Sequence, residues 1–218
     1  MLKDENFIII IDIVIYGKRS KLSMNIEYFL KSCFSQLEDD TIRLISEVSS
    51  VRHFKKGEKL IEAGQIQNYI PILIEGVFRG YLVGSDGKET TDCFAYKAGD
   101  VVMSCNKRDK PSVISVEALA ESLCLMVPVA ACVSMEKSKL DMLLVRSVLL
   151  SDALEAHWKS KVMLQQCSAQ QRYEWFLNTY PGLYNRVNDK YIASFLGMTP
   201  VTLSRLRGKL KNESSEKN

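Results

Sequence analysis

Between residues 56 and 100 the chain is punctuated by turn signals at close intervals. Lys56-Gly57-Glu58, Ala63-Gly64-Gln65, Glu75-Gly76, Ser85-Asp86-Gly87 and Ala98-Gly99-Asp100 each set a glycine beside polar or small residues, the composition of tight turns. The runs between and after them, Tyr69–Ile74, Val77–Val83, Thr90–Tyr96, Ser112–Ala118 and Leu123–Val127, are rich in β-branched and aromatic residues. Short strands at this spacing point to an antiparallel barrel or sandwich. Ser85-Asp86-Gly87 suits a hairpin turn.

On either side of this region the apolar period becomes helical. Ile26, Phe29, Leu30, Phe34, Leu37, Ile42, Leu44, Ile45 and Val48 make residues 25–49 an amphipathic helix. After Val129 no turn signal interrupts about 40 residues, and Met135 through Gln166 reads as one long helix. Its apolar residues cover more than one narrow stripe, and a helix apolar on two sides must bury both. One side can lie on the strands. The other can meet its copy in a dimer seam, with Leu143, Leu144, Leu150, Leu154 and Trp158 as candidates. Complete burial in a monomer is the alternative. Ser168 then caps a helix over Ala169–Tyr180, which Pro181-Gly182 ends.

The segment Asn188–Leu210 reads as two short helices joined at a glycine. Asn188 or Asp189 can cap the first, and Ile192, Ala193, Phe195 and Leu196 give it an apolar face. Gly197 can end it in the left-handed region without Cβ strain. Thr199 is a good N-cap and Pro200 a good first helical residue for the second. Helical spacing turns Val201, Leu203, Leu206 and Leu210 inward, and Thr202, Ser204, Arg205, Lys209 and Lys211 outward. This is the pattern of a helix-turn-helix, whose second helix enters a DNA major groove; an ordinary helical hairpin with a solvated basic face is the alternative. Charge placement favours DNA. Residues 181–218 hold 7 Lys/Arg and 3 Asp/Glu, a net +4 in a chain of net +3, which leaves −1 for residues 1–180.

Several functions are excluded or disfavoured. The six cysteines, at 33, 93, 105, 124, 132 and 167, form no CxxC pair and read as reduced, mostly buried thiols of a cytoplasmic protein. With only His53 and His157 available, a histidine-rich metal site cannot be built, and neither histidine suggests a ligand. A metal-dependent barrel enzyme would need such a constellation, and no nucleophile–histidine arrangement is supportable, so the chain reads as a non-enzyme. Phe7 to Tyr16 is too short to span a bilayer. Asp4, Glu5 and the lack of a small-residue cleavage site oppose a signal peptide. Residues 1–24 are therefore an extra segment that adds a strand or trails as an apolar tail, and Met24 is an alternative start. The polar tail Asn212–Asn218 reads as disordered.

The order of these parts resembles the Crp/Fnr family of bacterial transcription regulators over residues 26–211. Phe54-Lys-Lys-Gly57-Glu58, Glu62-Ala-Gly64, Leu73-Ile-Glu-Gly76, Gly87-Lys-Glu89 and Gly99-Asp100 look like the family's barrel turns, and Arg172 like its arginine before the reading helices. Ala193, Leu196-Gly197, Thr199, Thr202 and Ser204-Arg205 match its reader signature. The resemblance implies an α+β fold. An antiparallel jelly-roll β-barrel of the cyclic-nucleotide-binding kind, with an N-terminal helix, would occupy 25–133, a dimerisation helix 134–166, and a winged helix-turn-helix 167–218. It implies a homodimer on double-stranded DNA with a near-palindromic site, RNA polymerase as a candidate further partner, and no membrane.

Departures from the family narrow this. Its cyclic-nucleotide cassette has Gly-Glu, then Arg followed by Ser or Thr. Here Gly99-Asp100-Val101 keeps the glycine and a shorter acid, and Lys110-Pro111-Ser112 stands at the arginine. Lysine lacks the two-pronged fork, and proline removes a backbone N–H that a phosphate would want. Gly99, Asp100, Val101, Lys110 and Ser112 are thus expected to line a pocket for an unidentified small effector other than cAMP, or one that has decayed. No cofactor is implied with certainty. In the reader, Arg205 is the expected base contact. Thr199, Thr202 and Ser204 are expected at phosphates or base edges, and Lys190 and Lys209 at phosphates. Val201 stands where many members have glutamate and suits a thymine methyl.

Overall fold

The computed structural model describes residues 8–15, 18–104 and 109–215. Two antiparallel sheets form the centre. One has strand order β3 (Ser50–Phe54), β9 (Ser122–Pro128), β5 (Tyr69–Glu75). The other has order β4 (Lys59–Ile61), β8 (Ser115–Ala118), β6 (Phe78–Val83), β7 (Glu89–Ala95). Phe54, Leu73, Cys124 and Met126 from the first meet Ile61, Phe78, Val116 and Ala118 from the second in one core, which is the double-sheet jelly roll expected. Period-2 geometry turns alternate residues of β9 to opposite faces. Cys124 and Met126 face the second sheet, while Leu125 and Val127 join a separate core beneath helices. That is why Leu123–Val127 is continuously apolar. Burial pushes the Cys124 thiol up to about 12, so it stays neutral and inert.

That second core is covered by α1 (Ile26–Cys33), α2 (Asp39–Val48), α3 (Val129–Glu136) and the start of α4 (Leu140–Gln166). Two helices expected to be continuous are interrupted. The segment 25–49 breaks after Cys33, where the Leu37 amide turns back to the Phe34 carbonyl. The segment 135–166 breaks at Lys137–Lys139, with Lys139 extended at φ −124°, ψ 110°. One buried carboxylate ties the breaks together: Asp141 Oδ2 accepts the Glu38 amide at 2.9 Å, and Lys139 pairs with Asp40. Apolar spacing runs through both breaks, so periodicity alone could not reveal them.

At the N-terminus β1 (Ile8–Ile15) and β2 (Lys18–Asn25) form their own antiparallel hairpin. The apolar run expected to add a strand does so, although Phe7 and Tyr16 lie outside the described residues. After α4 come α5 (Ala169–Thr179), a 3₁₀ turn at Leu183–Asn185, α6 (Asp189–Phe195) and α7 (Pro200–Ser215). Ser168 caps α5 through a reciprocal box with Gln171. Among the described residues after α4 no strand occurs, so the expected wing is not found there. The tail expected to be disordered instead continues α7 as far as Ser215. No helix among the described residues is long and apolar enough to cross a membrane. Of the cysteines, Cys124 and Cys132 are buried, Cys33, Cys93 and Cys167 are half-buried and unpaired, and Cys105 lies outside the described residues.

Candidate functional site

The α6–α7 pair is assembled by local chemistry that the sequence displays. Asn188 Oδ1 accepts the Lys190 amide at 3.0 Å, one of the donors that the first turn of a helix leaves unpaired. Gly197 ends α6 at φ +61°, and the Met198 amide closes on the Ala193 carbonyl at 2.9 Å. Thr199 Oγ1 accepts the Thr202 amide at 3.1 Å and bonds the Thr202 hydroxyl at 2.9 Å. Leu203 is fully buried, and Leu206 is half-buried in the same cluster.

The outward face of α7 carries Val201, Ser204, Arg205, Gly208 and Lys209, all exposed. The first four recur at i, i+3, i+4 and i+7, one continuous stripe. Val201, expected to turn inward by spacing, is 59% exposed and belongs to this stripe. Thr202, expected outward, is half-buried and spent on the cap. Lys209 reaches Gln170 Oε1 at 3.1 Å. Among the described residues Arg205 has no such partner, which leaves its whole guanidinium for a ligand. Lys190 is exposed beside the Tyr191 ring.

Sequence reasoning missed three arginines that position this unit. Arg207 grips both Asp189 carboxylate oxygens at 2.6 and 2.7 Å and bonds the Tyr173 hydroxyl, clamping α7 to α6 and α5. Arg186 donates to the carbonyls of Tyr96 and Gly76 on the strand side. Arg79 of β6 is 2% exposed, pairs with Glu89 and Glu117, and sits 3.9 Å from the centre of the Tyr191 ring of α6. Burial opposes its charge, but the bonds to Glu89 and Glu117 prevail and hold its pKa above the usual value. Basic residues inside a predicted reader look alike in sequence, and their distant acceptors separate the structural from the exposed. Arg172, singled out by resemblance, bonds the carbonyls of Leu164 and Gly197 and so ties the end of α4 to the turn before α7.

These contacts seat the helical unit on the strands. Ser194 Oγ accepts the Thr91 amide at 2.9 Å and lies 3.4 Å from the Glu89 carbonyl. Phe94 of β7 meets Phe195, Phe176 and Tyr180 edge-on. A cleft of about 580 Å³ remains between β6–β7 and the turn, lined by Lys88, Thr90, Lys190, Tyr191, Gly197 and Pro200 among others.

The residues expected to line an effector pocket are placed differently. Gly99 has φ +90°, and a Cβ there would fall 2.9 Å from Cys33 Sγ, so close packing against α1 requires glycine. Asp100 Oδ2 accepts the amides of Tyr96 and Lys97 at 2.7 and 2.9 Å; its carboxylate fixes its own turn. Val101 packs against the helix-covered core. Lys110 is exposed, while Ser112 is buried with its amide bonded to the Gln65 carbonyl. Of the residues expected in a dimer seam, Leu143, Leu144, Leu154 and Trp158 are 43%, 53%, 60% and 56% exposed. Leu150 is half-buried and faces the strands instead.

Residues 51–138 match the family model described as the cyclic nucleotide-binding domain. No curated protein matches the chain in sequence. Among solved structures, FixK2 from Bradyrhizobium japonicum superposes with a TM-score of 0.69 at 19% identity, over 77% of this chain and 86% of that one. A protein from Eubacterium rectale assigned to the crp/fnr family of transcriptional regulators gives 0.65 at 18% identity, over 82% and 86%. The c-di-GMP responsive regulator CLP from Xanthomonas campestris gives 0.65 at 14% identity, over 81% and 93%. Residues 51–138 thus match the cyclic nucleotide-binding domain, and the chain as a whole has a fold like that of these solved regulators.

Proposed function

We propose that the chain is a sequence-specific, DNA-binding transcription regulator that acts as a homodimer under the control of an effector other than cAMP. The observation that carries this reading is the exposed stripe of α7, begun by a capped N-terminus and centred on a guanidinium without a partner among the described residues. Arginine pairs two-pronged with guanine O6 and N7, and an apolar Val201 beside it suits a thymine methyl. Lys190 and Lys209 would meet phosphates. Two such helices in successive major grooves, about 34 Å apart, would require a near-palindromic site. RNA polymerase is the candidate further partner. The strands with α1–α3 would form the sensing part, α4 the dimer seam, and α5–α7 the reader. Footprinting on the chain's own upstream DNA at two salt concentrations tests this, and absence of protection at low salt would sink it.

Replacing Arg205 by alanine should weaken specific binding by roughly 1–3 kcal/mol and relax one base preference. An unchanged ratio of specific to non-specific affinity, measured by gel shift, would remove Arg205 from the reading face.

The dimer reading rests on exposed Leu143, Leu144, Leu154 and Trp158 along α4, an apolar face that water does not favour. Leu154→Asp should convert the protein to monomers in analytical ultracentrifugation. It should also lower operator affinity by about a hundredfold through lost bivalency. Retained dimers would place the seam elsewhere.

A second reading, a constitutive binder with a decayed pocket, draws support from the bonds that occupy Asp100. Thermal shift against nucleotides and small metabolites distinguishes the two, because a ligand that binds only the folded state raises the melting temperature.

A further inference from the structure

Inside a helix glycine is a poor choice, because its backbone freedom makes it about fivefold worse than alanine in the folding equilibrium. Gly208 stands well inside α7, more than a turn from both Pro200 and Ser215. Among the described residues it is the one glycine that the fold itself does not require. Seven others have positive φ. At the remaining two, Gly80 and Gly84, a Cβ would stand 2.6 and 2.7 Å from neighbouring atoms. Gly208 has neither reason: its φ is not positive, and a Cβ built there meets nothing within 4 Å among the described residues.

Its place on α7 is the exposed stripe Val201, Ser204, Arg205, Gly208. At Gly208 alone this stripe has no side chain. An α-helix with its side chains is about 10–12 Å across, whereas its Cα atoms lie only about 2.3 Å from the axis. A partner can therefore come roughly 3 Å nearer the axis at Gly208 than at its neighbours. Those neighbours give the partner its chemistry. Ser204 and Arg205 lie one turn before Gly208 and Lys209 follows it, all exposed, while Leu203 and Leu206 pack into the helical core. Bare backbone bordered by a hydroxyl and two cations suits an anionic surface rather than an apolar one.

We propose that Gly208 is the point at which α7 packs directly against the sugar–phosphate backbone of one DNA strand, a contact that rests on the DNA-binding reading and extends it. The first residues of a reading helix meet base edges. Gly208 lies about 10 Å further along the axis than Val201, far enough to reach the strand that borders a major groove about 12 Å wide. Inside a helix the amide is already bonded to a carbonyl of the preceding turn, so the contact is made by the Cα hydrogens against phosphate and sugar oxygens. Any side chain at 208 would hold α7 off the strand and lengthen the reach of Arg205 to its base. The glycine weakens the free helix and lets the bound one come closer.

Stability and binding should then move in opposite directions on substitution in the full chain. Gly208→Ala should raise the urea midpoint by about 0.3 M, since alanine is the better helix former and its Cβ meets no neighbour. The same variant should lower affinity for the footprinted operator about tenfold, the size of one or two lost Cα–H contacts. Gly208→Gln, a longer side chain that also favours helix, should lower it further. Backbone contacts carry no sequence information, so the Gly208→Ala loss should be the same on every base variant of the operator, whereas the Arg205→Ala loss should depend on the base. Unchanged or improved operator affinity of Gly208→Ala would overturn the proposal. A lower urea midpoint would also overturn it by giving the glycine a role in the fold, and an altered base preference would do so by placing it at a base edge. If the unaltered protein protects no DNA, the regulator reading falls and this contact falls with it. If the unaltered protein binds and Gly208→Ala binds equally well, the contact alone falls.

Discussion

Phe176→Ala should destabilise the protein by about 3–5 kcal/mol, the range for deleting a buried phenylalanine ring. Phe176 is fully buried in α5. Its ring stacks on Tyr180 at 5.2 Å and meets Phe94 and Phe195 edge-on. The cluster includes Leu203 of the candidate reading helix and also Val77 and Leu119 from the strand side. A void there would loosen α7 and its seat on the strands together. Urea unfolding should show a lower midpoint, and operator binding should weaken although Phe176 touches no exposed reading residue. Phe176→Leu fills most of the space and should cost clearly less. Equal stability of Phe176→Ala and the unaltered protein would show that this cluster does not hold the helical unit.

The second large effect is expected at Arg79. Arg79→Met should cost about 3 kcal/mol or more, because removing one partner of a buried pair strands the other. The stranded group is chiefly Glu117, whose side chain is 14% exposed; Glu89, at 46%, can turn to water. Methionine also ends the contact between the guanidinium and Tyr191, which links β6 to α6 and is worth about 0.5–2 kcal/mol. The double variant Arg79→Met/Glu117→Met should recover much of the loss, since a buried pair replaced by apolar groups is often neutral. A double-mutant cycle in urea reads this directly, and additive losses would mean that the two groups do not interact.

Much of the architecture was legible because its causes are local. The turn at Ser85-Asp86-Gly87 needs only the residues within it. So do the capping box at Ser168 and the stop at Gly197. The α7 start at Thr199-Pro200 was legible for the same reason. The breaks after Cys33 and before Leu140 were not, because apolar spacing continues across them and the cause is Asp141 holding an amide about 100 residues away. The surroundings of Gly99 and Asp100 were not legible for a related reason. Gly99 and Asp100 carry a family's pattern, but nothing in that pattern reveals that Cys33 fills the space above the glycine or that Asp100 turns onto its own backbone.

The candidate reader divides in the same way. Its caps, turn and basic character are written in Asn188–Lys209. Which cation is left for a ligand is not. Arg205 and Arg207 lie two positions apart on one helix, so they point about 200° away from each other; only the presence of Asp189, Tyr173 and Tyr184 beside Arg207 makes one a clamp and leaves the other exposed. By itself the sequence determined the strand-and-turn core and the helical C-terminal unit, because hydrophobic period, caps and turn chemistry act over a few residues. Tertiary structure alone decided where the helices break and which arginines are spent on the fold, because hydrogen bonds and burial are settled by residues far apart in the chain.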